Sequence, residues 1–241
     1  ERLAAGARGR RYTFGEGAGS SAFVADGELI LRFEGEIEPL LPRSDLPLLG
    51  AHNVANALTA ALTARLAGAA PGGITAGLGS ARALPHRLEL VSDHAGVLWI
   101  NDSKATNVAA TSSALTSLDR PVVLLLGGKD KGEDFGQLAG AVHSHVRVVI
   151  GYGEAGPRAT RELSAALGVD VEAATDVCDP STTTPSLRLV EGSLEDVMAC
   201  ALFVAEPGNA VLLSPACSSF DMYESYEHRG RHFTRLAQAV A

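Results

Sequence analysis

Residues 85–241 of this 241-residue chain are predicted to form an open α/β domain, a mostly parallel sheet with helices on both faces. Three observations carry that reading. Val97-Leu98-Trp99-Ile100, Val122 to Leu126, Val146 to Ile150 and Ala210 to Leu213 are apolar without alternation, as strands buried on both faces are. Helical stretches separate them in regular succession. The segments after them are rich in Lys, Ser, Thr and Asp, and open α/β sheets bind ligands beyond the C-terminal ends of their strands.

The elements before that domain differ in rhythm. Between Arg11 and Leu41, Tyr12-Thr13-Phe14, Ala22-Phe23-Val24 and Leu29 to Phe33 are short extended pieces, and Asp26-Gly27 between two apolar runs signals a hairpin. This section is expected to be antiparallel. A helix follows between Pro47 and Gly68, with Val54, Leu58, Leu62 and Leu66 as its buried stripe. Asn53 and Asn56 share another face, where they serve either as a cap and a local hydrogen bond or as ligand contacts. After Pro71-Gly72-Gly73 a helical stretch is expected to run to Leu84-Pro85, so a domain boundary is set at residues 1–84 and 85–241.

Within the second domain a strand at Leu88 to Val91 and a turn at Asp93-His94-Ala95-Gly96 lead into Val97 to Ile100. Helices are expected at about Val108–Leu118, Phe135–Val142 and Pro157–Leu167, with a further strand at Val169–Ala173. Another, capped by Ser193, runs to Val204, and a last helix buries Phe233, Leu236, Ala237 and Val240. The stretch Asp179 to Pro185 reads as a loop without assigned function.

Composition narrows the function classes. With 46% hydrophobic and 20% charged residues the chain is an ordinary globular protein rather than a disordered one. A net charge of -8 without a basic run excludes an extended nucleic-acid surface. Cys178, Cys200 and Cys217 are an odd, widely spaced set, which indicates neither a disulfide framework nor a zinc site and fits a reducing cytoplasm. The segment from Leu46 to Ala64 holds His52, Asn53 and Asn56 and is too polar to span a membrane; the first residues lack the apolar core of a signal peptide.

The stretch that carries most chemistry is Asn101-Asp102-Ser103-Lys104-Ala105-Thr106-Asn107. A strand is expected to end there and a helix to begin, and a helix start offers free N–H groups to an anion. A lysine works against the dipole at such a place, so Lys104 is read as a ligand contact. Lys131, with Lys129 nearby, is expected on the same sheet edge. Other patterns are weaker. No P-loop spacing exists around Gly128-Lys129, and Gly151-Tyr152-Gly153-Glu154-Ala155-Gly156 follows a middle strand and reads as a turn. Cys217 has no histidine paired in sequence, His228 and His232 lack a third metal ligand, and His143 and His145 diverge at a helix end.

Taken in order, His52-Asn53-Val54-Ala55-Asn56, Pro85-His86-Arg87, Asn101 to Asn107, Leu126-Gly127-Gly128 with Lys131, Ser214 to Asp221 and Glu227-His228-Arg229-Gly230 resemble the Mur ligases of peptidoglycan synthesis, in their D-glutamate-adding branch. The resemblance runs from about Pro47 to the end. It implies the end of a central ATPase domain followed by a Rossmann-like C-terminal domain, with the P-loop, UDP-binding domain and magnesium ligands upstream, so the chain is expected to be an inactive portion alone.

The implied activity is ATP-dependent addition of D-glutamate to UDP-N-acetylmuramoyl-L-alanine through an acyl phosphate, in a cytoplasmic monomer using ATP and Mg. By motif, Asn53, Asn56, Arg87 and Asp102 are implied at ATP; Lys104, Thr106, Lys131, Ser219 and the backbone of Tyr226 at D-glutamate; and Lys104 and Lys131 in catalysis. Lys129 is the alternative to Lys131. A non-catalytic module that binds a nucleotide or an acidic metabolite, and a sister ligase of the Mur or folylpolyglutamate type, are the competing readings.

Overall fold

A computed structural model describes residues 9–15, 19–173 and 184–240. Cys178 and the part of the Asp179–Pro185 loop up to residue 183 lie outside them. The chain divides into two compact units, Glu1–Arg82 and Ala83–Ala241.

The first unit holds an antiparallel sheet of β1 (Ala22–Ala25), β2 (Glu28–Phe33) and β3 (Glu36–Pro42). Asp26 and Gly27 both have positive φ, the conformation a two-residue hairpin turn demands, and Glu34-Gly35 repeats it between β2 and β3. Phe14 makes only an isolated bridge to Ala22, so the first predicted strand does not form. Helix α1 (Ala51–Leu66) buries Ala57, Leu58, Ala61 and Leu62. The expected stripe is therefore shifted: Val54 is partly buried and Leu66 is 45% exposed. Helix α2 (Pro71–Gly79) supplies Ile74 and Leu78 to the core shared with α1, so α1 presents its alanine side as well as its leucines. That helix stops at Gly79, five residues short of the predicted Leu84, which is exposed; Gly77 and Gly79 make its last turn a poor helix former.

The second unit is a seven-stranded sheet in the order β4-β5-β10-β6-β7-β9-β8, where only β4 (Glu89–His94) runs antiparallel to its neighbour β5 (Val97–Asn101). Chain order continues through α3 (Val108–Leu115), β6 (Val122–Gly127), a 3-10 turn at Phe135–Leu138 leading into α4 (Ala139–His145), and β7 (Val146–Tyr152). Then come α5 (Gly156–Leu167), β8 (Val171–Glu172), β9 (Ser186–Leu189), α6 (Leu194–Val204), β10 (Ala210–Ala216) and α7 (Tyr226–Ala239). Every residue of β6 and β10 is buried, as uninterrupted apolar strands between two helix layers must be.

One layer is α6 and α7, whose Val197, Met198 and Phe233 pack on Trp99, Val123, Leu125, Val148, Ile150 and Val211. Ser193 and Asp196 form a reciprocal capping box on α6, which accounts for its sharp start.

Strand β10 lies between β5 and β6. The segments after these three strands, 102–107, 128–134 and 217–225, are therefore neighbours at one sheet edge although more than a hundred residues separate the first from the last. Glycine is required at their contact: a Cβ at Gly127 would collide with the Tyr152 carbonyl and one at Gly128 with the Ser218 carbonyl.

Candidate functional site

The loop after β5 is built from buried polar groups. Asn101 is fully buried; its side-chain NH2 reaches His86 Nδ1 (3.0 Å), the Gly230 carbonyl (2.9 Å) and Thr234 Oγ1 (3.0 Å), and its oxygen accepts from the Ser103 N–H (3.1 Å). Asp102 is 8% exposed and accepts from the Leu88 N–H (3.2 Å) and the Ser214 hydroxyl (2.8 Å). Burial drives its carboxyl up to about 6 against the opposing pull of those two bonds and of the Arg87 charge. Arg87 itself is exposed, on a segment whose flanking residues His86 and Leu88 both have positive φ. Such a backbone is held by the Lys104 N–H on the His86 carbonyl (3.1 Å), the His86 N–H on Glu89 (2.8 Å), the Arg87 N–H on the Leu84 carbonyl (3.1 Å) and the Leu88 N–H on Asp102.

Lys104 is exposed, and its ammonium lies 4.0 Å from the centroid of the Tyr226 ring, a cation–π contact. Lys131 reaches across from the next loop to donate to the Thr106 carbonyl at 2.5 Å. Lys104, Thr106, Lys131 and Tyr226 thus share one edge. Lys129, the alternative to Lys131, is in an ion pair with Glu154 (2.6 Å). Arg158, on α5, braces this loop through two bonds to Asp130 and one to the Glu133 carbonyl (each 2.7 Å), and its guanidinium holds the Asp130 carboxyl down at about 2.

Helix α3 begins at Val108 as expected, four residues past Lys104, and two of its first three N–H groups are taken: Asn107 accepts from Ala110 (2.8 Å) and Glu133 from Val108 (3.0 Å). Lys104 sits in the preceding turn and carries no dipole penalty.

In the loop after β10, Ser219 is 2% exposed and its hydroxyl has no hydrogen-bond partner among the described residues. Burial pushes the neighbouring Cys217 thiol up to about 12, which works against a thiolate there. On the Tyr226 backbone, the carbonyl accepts from the Ser103 hydroxyl (2.8 Å). Asn53 and Asn56 lie on α1 of the first unit; Asn53 donates to the Leu49 carbonyl (2.8 Å), and Asn56 bonds Asn53 (3.4 Å). Gly50 rather than Asn53 is the N-cap.

The sequence reading missed Arg229. Its side chain is buried and donates from Nε to Ser103 Oγ (2.9 Å), from Nη2 to the carbonyls of Ser103 (2.9 Å) and Cys217 (3.0 Å), and from Nη1 to the Ser218 carbonyl (3.2 Å). Ser218 O also accepts from Lys129 N–H (2.8 Å), so one guanidinium joins all three loops. The signal was present: stepping back four residues from Phe233 along the apolar stripe of α7 lands on Arg229.

An α/β domain with a mostly parallel sheet and polar loops gathered at the C-terminal ends of its strands belongs to the doubly wound class, in which that edge is where ligands bind. The chain belongs to the family described as "Mur ligase, glutamate ligase domain", which matches residues 86–217. A relative from Salinibacter ruber named UDP-N-acetylmuramoylalanine--D-glutamate ligase is 42% identical over 92% of this chain and 44% of its own length. One of the same name from Rubrobacter xylanophilus is 41% identical over 98% of the chain and 48% of its length. The chain spans a little under half of these relatives. Similar folds occur in a pseudomurein peptide ligase type C from Methanothermus fervidus (TM-score 0.59, 17% identity, 91% of this chain and 41% of that one). The Mycobacterium tuberculosis folylpolyglutamate synthase complexed with ADP has a TM-score of 0.57 at 18% identity, over 89% of this chain and 46% of that one. Among the described residues no helix is long and apolar enough to cross a membrane.

Proposed function

We propose that this chain is the amino-acid-accepting part of an ATP-dependent ligase that joins D-glutamate to UDP-N-acetylmuramoyl-L-alanine. The observation that carries the reading is the pairing of Lys104 and Lys131 about Thr106, two point charges at one edge, which suits an amino acid with two carboxylates. The names of relatives 36–42% identical across this chain support the same choice of substrate. In that reaction ATP converts the acceptor carboxylate into an acyl phosphate; the D-glutamate amine attacks the carbonyl carbon, phosphate leaves and an amide forms. Lys104 and Lys131 hold the incoming carboxylates and oppose the negative charge of the tetrahedral intermediate. The buried hydroxyl of Ser219, without a hydrogen-bond partner among the described residues, is a donor that a carboxylate oxygen brought to it would satisfy.

On the nucleotide side, Arg87 is exposed and able to meet phosphate, and Asp102 keeps a lone pair on each oxygen for ribose hydroxyls beyond its two internal bonds. Asn53 and Asn56 are assigned to adenine. Among the described residues no group of three or more His, Cys, Asp or Glu is arranged to hold a metal, so no step is assigned to magnesium here. A cytoplasmic, monomeric enzyme is part of the same reading.

Titration of the 15N-labelled chain with D-glutamate is expected to shift the amides of Thr106, Lys131 and Ser219 saturably. Lys104→Ala should weaken that binding roughly tenfold to a hundredfold, the loss of one charge-assisted contact. Unchanged affinity in Lys104→Ala, or saturable binding of adenine nucleotide at this edge with none of D-glutamate, would overturn the proposal and favour a nucleotide-binding module. L-lysine or diaminopimelate binding in place of D-glutamate would identify a sister ligase.

A further inference from the structure

Ser219 poses a problem of positioning, because a buried hydroxyl without a partner does nothing to hold its own residue in place. Its place comes from its carbonyl, which accepts from the N–H groups of Met222 (3.1 Å) and Tyr223 (2.8 Å). Tyr223 is in turn tied down by its side chain. Its hydroxyl lies 2.9 Å from His232 Nδ1 on α7, and His232 Nε2 lies 3.0 Å from Glu195 Oε1 in the first turn of α6. The Tyr223 ring also stands edge-on to His228 (5.3 Å) and His232 (5.8 Å).

We infer that Glu195, His232 and Tyr223 form a relay that positions Ser219 for D-glutamate, an inference that rests on the proposed role of that site. The chemistry gives the relay a direction. An ionised Glu195 only accepts, so Nε2 carries the proton; the neutral ring then accepts at Nδ1, and the Tyr223 hydroxyl donates. Such a chain connects two helices to the turn that carries Ser219. The His232 side chain is 14% exposed and that of Glu195 is 54% exposed. Water competes at the Glu195 end, and the Tyr223–His232 bond is the part that fixes the turn.

Tyr223→Phe and His232→Ala are each expected to weaken D-glutamate binding roughly tenfold, with the double variant no weaker than either alone. His232→Asn, which keeps an acceptor near the position of Nδ1, should restore most of the affinity, a rescue that a packing role would not give. In the parent protein the 15N shifts of His232 should show the Nε2-protonated tautomer, and Tyr223→Phe should speed hydrogen exchange at the Met222 and Tyr223 amides. Additive losses, absence of rescue, or exchange unchanged in Tyr223→Phe would overturn the relay. If the parent binds no D-glutamate, the site reading fails, and the tautomer and exchange measurements still decide whether the relay holds the turn.

Discussion

Arg229→Met is expected to destabilise the second unit by about 3–5 kcal/mol, measured by urea unfolding, because it leaves the Ser103 and Cys217 carbonyls unpaired and takes one bond each from the Ser218 carbonyl and the Ser103 hydroxyl, which keep Lys129 N–H and the Tyr226 carbonyl as partners. The guanidinium is 1% exposed and none of its hydrogen-bond acceptors is a carboxylate; three are backbone carbonyls, of Ser103, Cys217 and Ser218, and the fourth is the Ser103 hydroxyl. Methionine fills much of the volume and satisfies none of these groups. Each orphaned acceptor costs about 1–3 kcal/mol in a dry setting, and the loops after β5 and β10 lose the bond that keeps them in register. Arg229→Lys retains charge but cannot fork to both loops, so it should recover less than half of the loss. A loss below about 1 kcal/mol in Arg229→Met would mean that water replaces the guanidinium and that the loops are held by other means.

The same residue marks the limit of what could be read from the chain. Strands β6, β7 and β10 were legible because uninterrupted valine and leucine runs have no other stable use in a covered sheet, and the two-residue turn was legible at Asp26-Gly27; the turn read over Asp93 to Gly96 is shorter, because β4 continues to His94. Strand β9 was not. It has four residues, and one is Arg188, fully buried beside Glu172 (3.7 Å), so neither an apolar run nor alternation announces it.

In the site, Lys104, Thr106 and Lys131 stood out because charged and hydroxyl residues clustered after strands. What their neighbours do depends on long-range pairs that no local pattern encodes. Asp102 bonds Ser214, 112 residues away, and Asn101 bonds Gly230, 129 residues away. The partner of the helix start is equally non-local: Glu133, from a different loop, occupies the N–H group of Val108.

Asp102→Asn is expected to stabilise the protein at pH 7.5 by about 2–3 kcal/mol and to leave it unchanged near pH 4. The carboxyl titrates at about 6 in the folded protein against an ordinary value of 3.8. The folded state therefore holds the proton more tightly than the unfolded chain, and stability is lost as pH rises from about 4 to about 6 and stays lost above it. A shift of that size corresponds to about 3 kcal/mol. Asparagine removes the charge while its oxygen still accepts from Leu88 N–H; its amide can donate to Ser214, whose hydroxyl can turn to Thr111 Oγ1 at 3.2 Å.

Parallel urea titrations across pH 4 to 8 test this, with other titrating groups cancelling in the difference between the two proteins. A difference that does not change with pH would mean that the carboxylate is better solvated than its 8% exposure implies. If Asp102 meets the nucleotide as proposed, nucleotide affinity should fall in the same variant, because the ribose hydroxyl would lose a charged acceptor. A charge that works against the fold and for the ligand is what a binding residue requires. Asp102 fits that description: its ionisation works against the fold, offset in part by Ser214, Leu88 and the Arg87 charge, and a nucleotide bound as proposed would offset the rest.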